Sequence, residues 1–189
     1  YFIFYNASHG YIATFNNGDS SYFMIPSNVI FTDPANLKKY AISQDDLVKL
    51  IGSIPAQNKI IVLDTCQSGE AGKIIQIAMA GIKKTYTRAF SRTTAMRLLK
   101  MASGSSVFTA SQSVEEAIEG YKGHGLFTYT LSEGLKGLAD ENKDGFITLN
   151  ELKGYTEMTV FTRSKEYFKR KQVPYINVGT IDLSIAKVR

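Results

Sequence analysis

The chain reads as an α/β fold with a mostly parallel sheet flanked by helices, and three features of its 189 residues predict this. Strand-like and helix-like segments alternate, the pattern of parallel strands joined by crossover helices. The run at 59–63 in "KIIVLD" is apolar at consecutive positions, as in a strand covered on both faces. With 44% hydrophobic and 21% charged residues, the composition suits one globular domain with a sizeable core.

The elements follow in order. Apolar, β-branched or aromatic runs at 1–5, 22–25, 59–63 and 106–109 are predicted strands, and "INVGTIDLSI" at 176–185 is a fifth. "SQDDLVKLIGSIP" is a predicted helix: Ser43 is the N-cap, Asp45 and Asp46 complement the dipole of its first turn, and the helix stops before Pro55. "TTAMRLLKMA" at 93–102 and "GLFTYTLSEGLKGL" at 125–138 repeat apolar residues at three and four. Thr148 and Glu151 form a capping box for a helix over "LNELKGYTEMTVF", 149–161.

Composition also excludes some classes. A single cysteine leaves no internal disulfide framework and no Cys-rich zinc site, and it points to a reducing, cytoplasmic setting. No apolar run reaches the ~18 residues of a membrane span, so no membrane partner is expected. No basic leader with a cleavage site opens the chain, which begins inside a strand pattern, so further sequence is expected upstream. Between 67 and 114 Glu70 is the single acid against seven cations, Lys73, Lys83, Lys84, Arg88, Arg92, Arg97 and Lys100. No interleaved aromatic platform accompanies them, so a solvated basic segment is expected and no nucleic-acid partner.

The topology brings one reactive pair together. Ligands of open α/β sheets bind beyond the carboxyl ends of the strands. Cys66 follows "KIIVLD" and His9 follows "YFIFYNAS", so two strands deliver a thiol and an imidazole to one edge. Each alone reads as a buried cysteine or a structural histidine. Together they are a nucleophile and its base: a thiol of pKa about 8.5 is mostly protonated at neutral pH, and an adjacent imidazole activates it.

"NASHGY" followed by "VLDTCQSG" resembles the caspase-like cysteine peptidases, in the form closer to metacaspases and their bacterial relatives. The His-to-Cys spacing is close to the roughly 50 residues of the caspase signature. "SVFTASQSVEEAIEG", "GHGLFTYTLSEGLKG" and "VPYINVGTIDLSI" resemble the small-subunit half of the same fold. The resemblance implies a caspase-like three-layer domain over 1–189 whose first strands lie outside this chain, with possible fused or upstream domains. Within it, 1–72 is the large-subunit-like part, 73–105 a basic linker open to self-cleavage, and 106–189 the small-subunit-like part. It implies Cys66 as nucleophile, His9 as general acid/base, and the backbone N–H groups of Cys66 and Gly10 as the oxyanion hole. The chemistry needs no cofactor, and the substrates are polypeptides.

Substrate choice turns on Asp64. Strand alternation puts it on the same side as Cys66 if the extended geometry continues. The resemblance implies selection of Arg or Lys at P1, the residue before the cut, since a carboxylate in a narrow pocket pairs with a cation. A capping or loop-bracing aspartate is the alternative. Ala7 departs from the Ser that metacaspases often carry two residues before the histidine. Of Glu115, Glu116 and Glu119, Glu119 is the expected second pocket acid, while surface exposure is expected for the other two. His124 reads as structural.

"DENKDGFITLNE" at 140–151 fits the calcium-loop pattern at Asp140, Asn142, Asp144, Gly145 and Glu151. Its expected Ca²⁺ ligands are Asp140, Asn142, Asp144, the Phe146 carbonyl and Glu151, with a water near Thr148; a metal-free turn is the alternative. Two other function classes stay open: a caspase-fold interaction module with a silent dyad, and a calcium-responsive regulatory domain.

Overall fold

The computed structural model describes residues 1–15, 20–27, 34–66, 104–112 and 116–188. In chain order they form β1 (Phe2–Ala7), β2 (His9–Thr14), β3 (Ser20–Ile25), α1 (Pro34–Tyr40), β4 (Ile42–Ser43), α2 (Gln44–Ser53), β5 (Lys59–Asp64) and β6 (Ser105–Thr109). Then come α3 (Leu126–Glu133), a π-helical turn (Gly134–Leu138), β7 (Phe146–Thr148), α4 (Leu149–Phe168), β8 (Tyr175–Asn177) and β9 (Ser184–Lys187). The predicted helix at 93–102 lies outside the described residues.

The central sheet runs β1-β5-β6-β8. β1, β5 and β6 are parallel, with Ala7 beside Asp64 and Leu63 beside Thr109, and β8 closes the sheet antiparallel to β6. One face packs Ile61, Leu63 and Val107 against Leu47 and Ile51 of α2 and Tyr22 and Met24 of β3. The other packs Ile60 and Phe108 against Leu126, Phe127 and Leu131 of α3 and Leu149, Leu152 and Val160 of α4. Both faces of β5 and β6 are therefore covered, which is why β5 is apolar at consecutive positions 60–63 and all of β6, its serines and threonine included, is buried.

Local signals fix the helix starts. Ser43 caps α2, and Asp46 returns the bond to the Ser43 backbone. Thr148 and Glu151 do the same for α4, which runs on to Phe168 rather than ending at 161. Asp182 adds an acceptor for Asn150 N at 2.9 Å. α3 is shorter than the predicted 125–138 helix and passes into the π-helical turn. A side chain at Gly134 would start 2.7 Å from Leu152 Cδ1, and Gly137 adopts a φ of 125°, so close helix packing and a left-handed residue end the regular α-helix there.

Two strand expectations change. His9 opens a strand rather than lying in a loop: β2 pairs antiparallel with β3, and β4 joins them in a separate three-stranded sheet. Exposed His9, Tyr11 and Thr14 around Gly10 left β2 without a strong strand signal, whereas β3 contains the predicted strand at 22–25. The segment 176–185 divides between two sheets, with β8 on the central sheet and β9 pairing with β7. Gly179 marks the break: a Cβ there would meet the Ser105 backbone within 3.0 Å. Among the described residues no helix is long and apolar enough to cross a membrane.

Candidate active site

The parallel register of β1 and β5 sets the site. Ala7 and Asp64 end their strands side by side, and Ser8 N donates to Asp64 O at 3.2 Å as the chain turns into β2. His9, exposed, and Cys66, half-buried, therefore follow the carboxyl ends of adjacent parallel strands. Gly10 draws them together. A Cβ at position 10 would sit 2.3 Å from Cys66 O, 2.9 Å from Thr65 Oγ1 and 2.9 Å from the Tyr22 ring, so β2 passes against the Cys66 backbone at a distance only glycine allows.

Beneath Cys66 lies a buried polar pair. The Tyr22 and Thr65 hydroxyls are hydrogen-bonded to each other, and both residues are almost fully buried. Burial pushes the Tyr22 phenol up to about 12; the Thr65 bond opposes this and the nearby Cys66 adds to it. Tyr22 is thus a neutral hydroxyl at physiological pH. Cys66 itself packs against the cluster formed with α3 and α4, the face that Asp64 also occupies.

Asp64 is 3% exposed, and its two oxygens differ. Oδ2 accepts from Thr128 N at 3.2 Å and from Thr128 Oγ1 at 2.5 Å. Thr128 lies in the first turn of α3, whose N-cap Gly125 has no side chain to offer, so Asp64 caps that helix from the sheet. Tyr5 hydroxyl, 2.8 Å from Thr128 Oγ1, extends the chain of bonds. Oδ1, in contrast, is buried without a hydrogen-bond partner. Burial holds the Asp64 carboxyl above its ordinary range, with the Thr128 bonds opposing.

Glu119 faces Asp64 across Gly125. The point where a Cβ would stand on Gly125 is 2.7 Å from Asp64 Oδ2 and 3.3 Å from both Glu119 oxygens. Burial first, and then the neighbouring Asp64, raise the Glu119 carboxyl, while His9 pulls it down. Two carboxylates thus converge near His9, one with an unused buried oxygen. Glu116 points away into an exposed ion pair with Arg170 at 3.4 Å, and Glu115 lies outside the described residues, as do Ser68, Gly69 and the basic segment 73–100.

Sequence reasoning named Asp64 and Glu119 but missed Thr128, Tyr5, Tyr22 and Gly125. A threonine three residues into a helix whose N-cap is glycine was the one available hint. His124 is exposed in a turn that bridges to Tyr121, 6.1 Å between its ring and Tyr129.

The 140–151 loop stands apart, between the π-helical turn and α4. Gly145 N donates to Asp140 Oδ2 at 3.1 Å, and Asp144 accepts from Phe146 N at 2.8 Å and Asn142 Nδ2 at 3.1 Å. Glu151 directs Oε2 to Thr148 N at 2.9 Å. Asp140 Oδ1 and Glu151 Oε1 are buried without partners. Among the described residues no three His, Cys, Asp or Glu side chains converge as a metal cage.

Residues 1–183 match the family model described as Caspase domain, a peptidase family. No curated protein matches the chain.

Proposed function

We propose a mechanism from one premise: this chain belongs to the caspase-domain family of cysteine peptidases. Family membership carries cysteine peptidase chemistry in general, with polypeptide substrates. In this chain His9 takes the Cys66 proton, and the thiolate attacks a peptide carbonyl. The oxyanion forms against the N–H groups of Gly10 and Cys66, donors that contribute about 10²–10³ in rate in such sites. His9 then protonates the departing amine, and water hydrolyses the thioester.

The specificity is cleavage after Arg or Lys, and the observation that carries it is the unpartnered Asp64 Oδ1. A buried carboxylate oxygen with no donor is costly, and a cationic side chain entering between Asp64 and Glu119 supplies the missing donors. Thr128, itself bonded to the Tyr5 hydroxyl, occupies only the other oxygen, so helix capping and substrate binding are not exclusive. The test compares arginyl and aspartyl fluorogenic peptides. Faster release from arginyl, absent in Cys66→Ala, is expected; equal or faster cleavage after Asp overturns the assignment, and no turnover on any peptide favours a silent interaction module.

The same preference makes the chain's own basic segment a substrate. Cuts after Lys84, Arg88 or Arg92 are expected by mass spectrometry in the wild type and not in Cys66→Ala.

A calcium response is supported by Asp140 Oδ1 and Glu151 Oε1, two orphaned buried oxygens at the first and last positions of an oxygen-rich loop. Asp140, Asn142, Asp144, the Phe146 carbonyl and Glu151 would hold the ion, with Glu151 releasing its cap on Thr148. Calorimetric titration of chelator-treated protein with Ca²⁺ is the test.

A further inference from the structure

The segment that crosses from β6 to α3 is fastened at both ends to one buried side chain. Gln172 lies outside any helix or strand, between α4 and β8, yet it is fully buried. Its Nε2 donates to Ala110 O at 2.9 Å, and its Oε1 accepts from Ile118 N at 2.9 Å. Its own backbone N donates to Ser164 Oγ at 3.1 Å, which ties it to the last turns of α4.

The bonded partners are what give Gln172 reach. Ala110 is the residue after β6, and Ile118 immediately precedes Glu119. Ile118 O also accepts Leu126 N at 2.9 Å, so the same residue abuts the start of α3, where Gly125 separates Glu119 from Asp64. Glu119 is itself an exposed residue on a connecting segment, and its carboxylate position depends on where the backbone holds it. A carboxamide is suited to the bridge because it offers a donor and an acceptor on one planar group, and both must be used when it is buried.

We propose that Gln172 is a positioning residue for substrate selection: by tying Ile118 N to Ala110 O it sets Glu119 opposite Asp64 in the acidic pocket. The inference rests on the pocket reading above. Gln172 acts through Glu119 and meets no reacting atom.

The test uses Gln172→Met, which keeps length and burial but removes the amide, and Gln172→Glu, which keeps the acceptor for Ile118 N. With the full chain and an arginyl fluorogenic peptide, Gln172→Met should raise KM about tenfold, the loss of one well-placed buried bond network. The kcat and the rate of Cys66 alkylation by iodoacetamide should stay within about twofold, since the dyad is held by β1, β2 and β5. Gln172→Glu should fall between Gln172→Met and wild type. Adding Gln172→Met to Glu119→Gln should cost little more, because both act on one group. A kcat that falls with KM, or additive losses in the double variant, overturns the proposal.

Hydrogen exchange separates this from failure of the pocket itself. If the wild type cleaves no arginyl peptide, the pocket reading fails and the tie is judged by exchange alone. Faster exchange at 116–119 in Gln172→Met, with α4 still protected, supports it; unchanged protection there overturns it.

Discussion

Two acidic sites in this molecule each leave carboxylate oxygens buried without partners, and they are built in opposite ways. The loop at 140–151 is local: its turn bonds join residues no more than a few positions apart. The pocket at Asp64 and Glu119 is assembled at long range, with Asp64 from the end of β5, Thr128 from α3, Tyr5 from β1 and Glu119 from the segment ahead of α3. A local site can be disturbed with graded consequences. A long-range site shares its supports with the central sheet and the core, so disturbing it costs more.

That contrast is tested most severely at Gly10. A Cβ 2.3 Å from Cys66 O forces either β2 or the Cys66 peptide to move. Gly10→Ala should therefore lower kcat/KM on arginyl peptides by at least about 10²-fold, the scale of an ångström-sized misplacement of reacting groups. Full activity in Gly10→Ala, measured by fluorogenic turnover, would show that the close approach has no bearing on the chemistry.

Asp64→Asn separates pocket from scaffold. The arginyl kcat/KM should fall about 10²-fold, the cost of losing a desolvated charge partner for the substrate. Stability should move the other way. Because burial raises the folded-state carboxyl above its unfolded value, the folded state holds its proton more tightly, and stability falls as pH rises from the unfolded carboxylate value through the raised one. Above that window the loss is complete. At neutral pH Asp64→Asn removes the buried charge, so Tm should rise by a few degrees, about what 1 kcal/mol yields in a domain of this size. A Tm that falls at pH 7 would mean that the capping of α3 outweighs the buried charge.

These sites also show what the sequence discloses. The N-caps Ser43 and Thr148 were legible because their partners lie within one turn, though only Thr148 with Glu151 was read as a capping box and the return bond from Asp46 to Ser43 was not. The turn bonds of 140–146 are local in the same way. β5 announced itself by an unbroken apolar run and β6 by the Val, Phe and Thr at 107–109, and with His9 and Cys66 the end of β5 gave the edge of the sheet. β3 was read over 22–25, but β2 was not, since Gly10 and the exposed residues around it weaken its strand pattern. Thr128, Tyr5 and Gln172 were invisible: their partners are Asp64, Thr128 and the pair Ala110 and Ile118, all distant in sequence, and none has a type or spacing that signals the contact. Asp64 was legible only in half. Its helix-capping role stood as the alternative to a pocket role, and the capping bonds take one oxygen while the other is buried without a partner.

The pH profile sharpens the comparison further. Asp64 and Glu119 are both held above the ordinary carboxylate range, so acidification should neutralise the pocket earlier than it would exposed carboxylates. As pH falls through that raised range, arginyl KM should climb. A citrullinyl peptide, neutral at P1, should lack this limb while sharing any limb that does not come from the carboxylate pair. Parallel arginyl and citrullinyl profiles would remove the carboxylate pair from substrate recognition.

The smallest effect is expected in the local site, at Asp144. Its carboxylate accepts from Phe146 N and Asn142 Nδ2, bonds within an exposed turn. Asp144→Ala should cost at most about 1 kcal/mol of stability without calcium, the net value of an ordinary hydrogen bond. Calcium binding is different, because an oxygen loop would lose one of the three carboxylates expected to hold the ion. Affinity should weaken about tenfold or more, and any calcium dependence of activity should move to correspondingly higher concentration. Ca²⁺ acts on turnover only through its differential affinity for the competent state, so a variant that binds weakly but reaches the same maximal rate fits this loop. Titration calorimetry on metal-stripped wild type and Asp144→Ala measures the first quantity, and turnover against free Ca²⁺ the second. Absence of binding heat at millimolar Ca²⁺ in the wild type, together with activity indifferent to chelator, would leave Asp140 and Glu151 as the caps of a turn between the π-helical segment and α4.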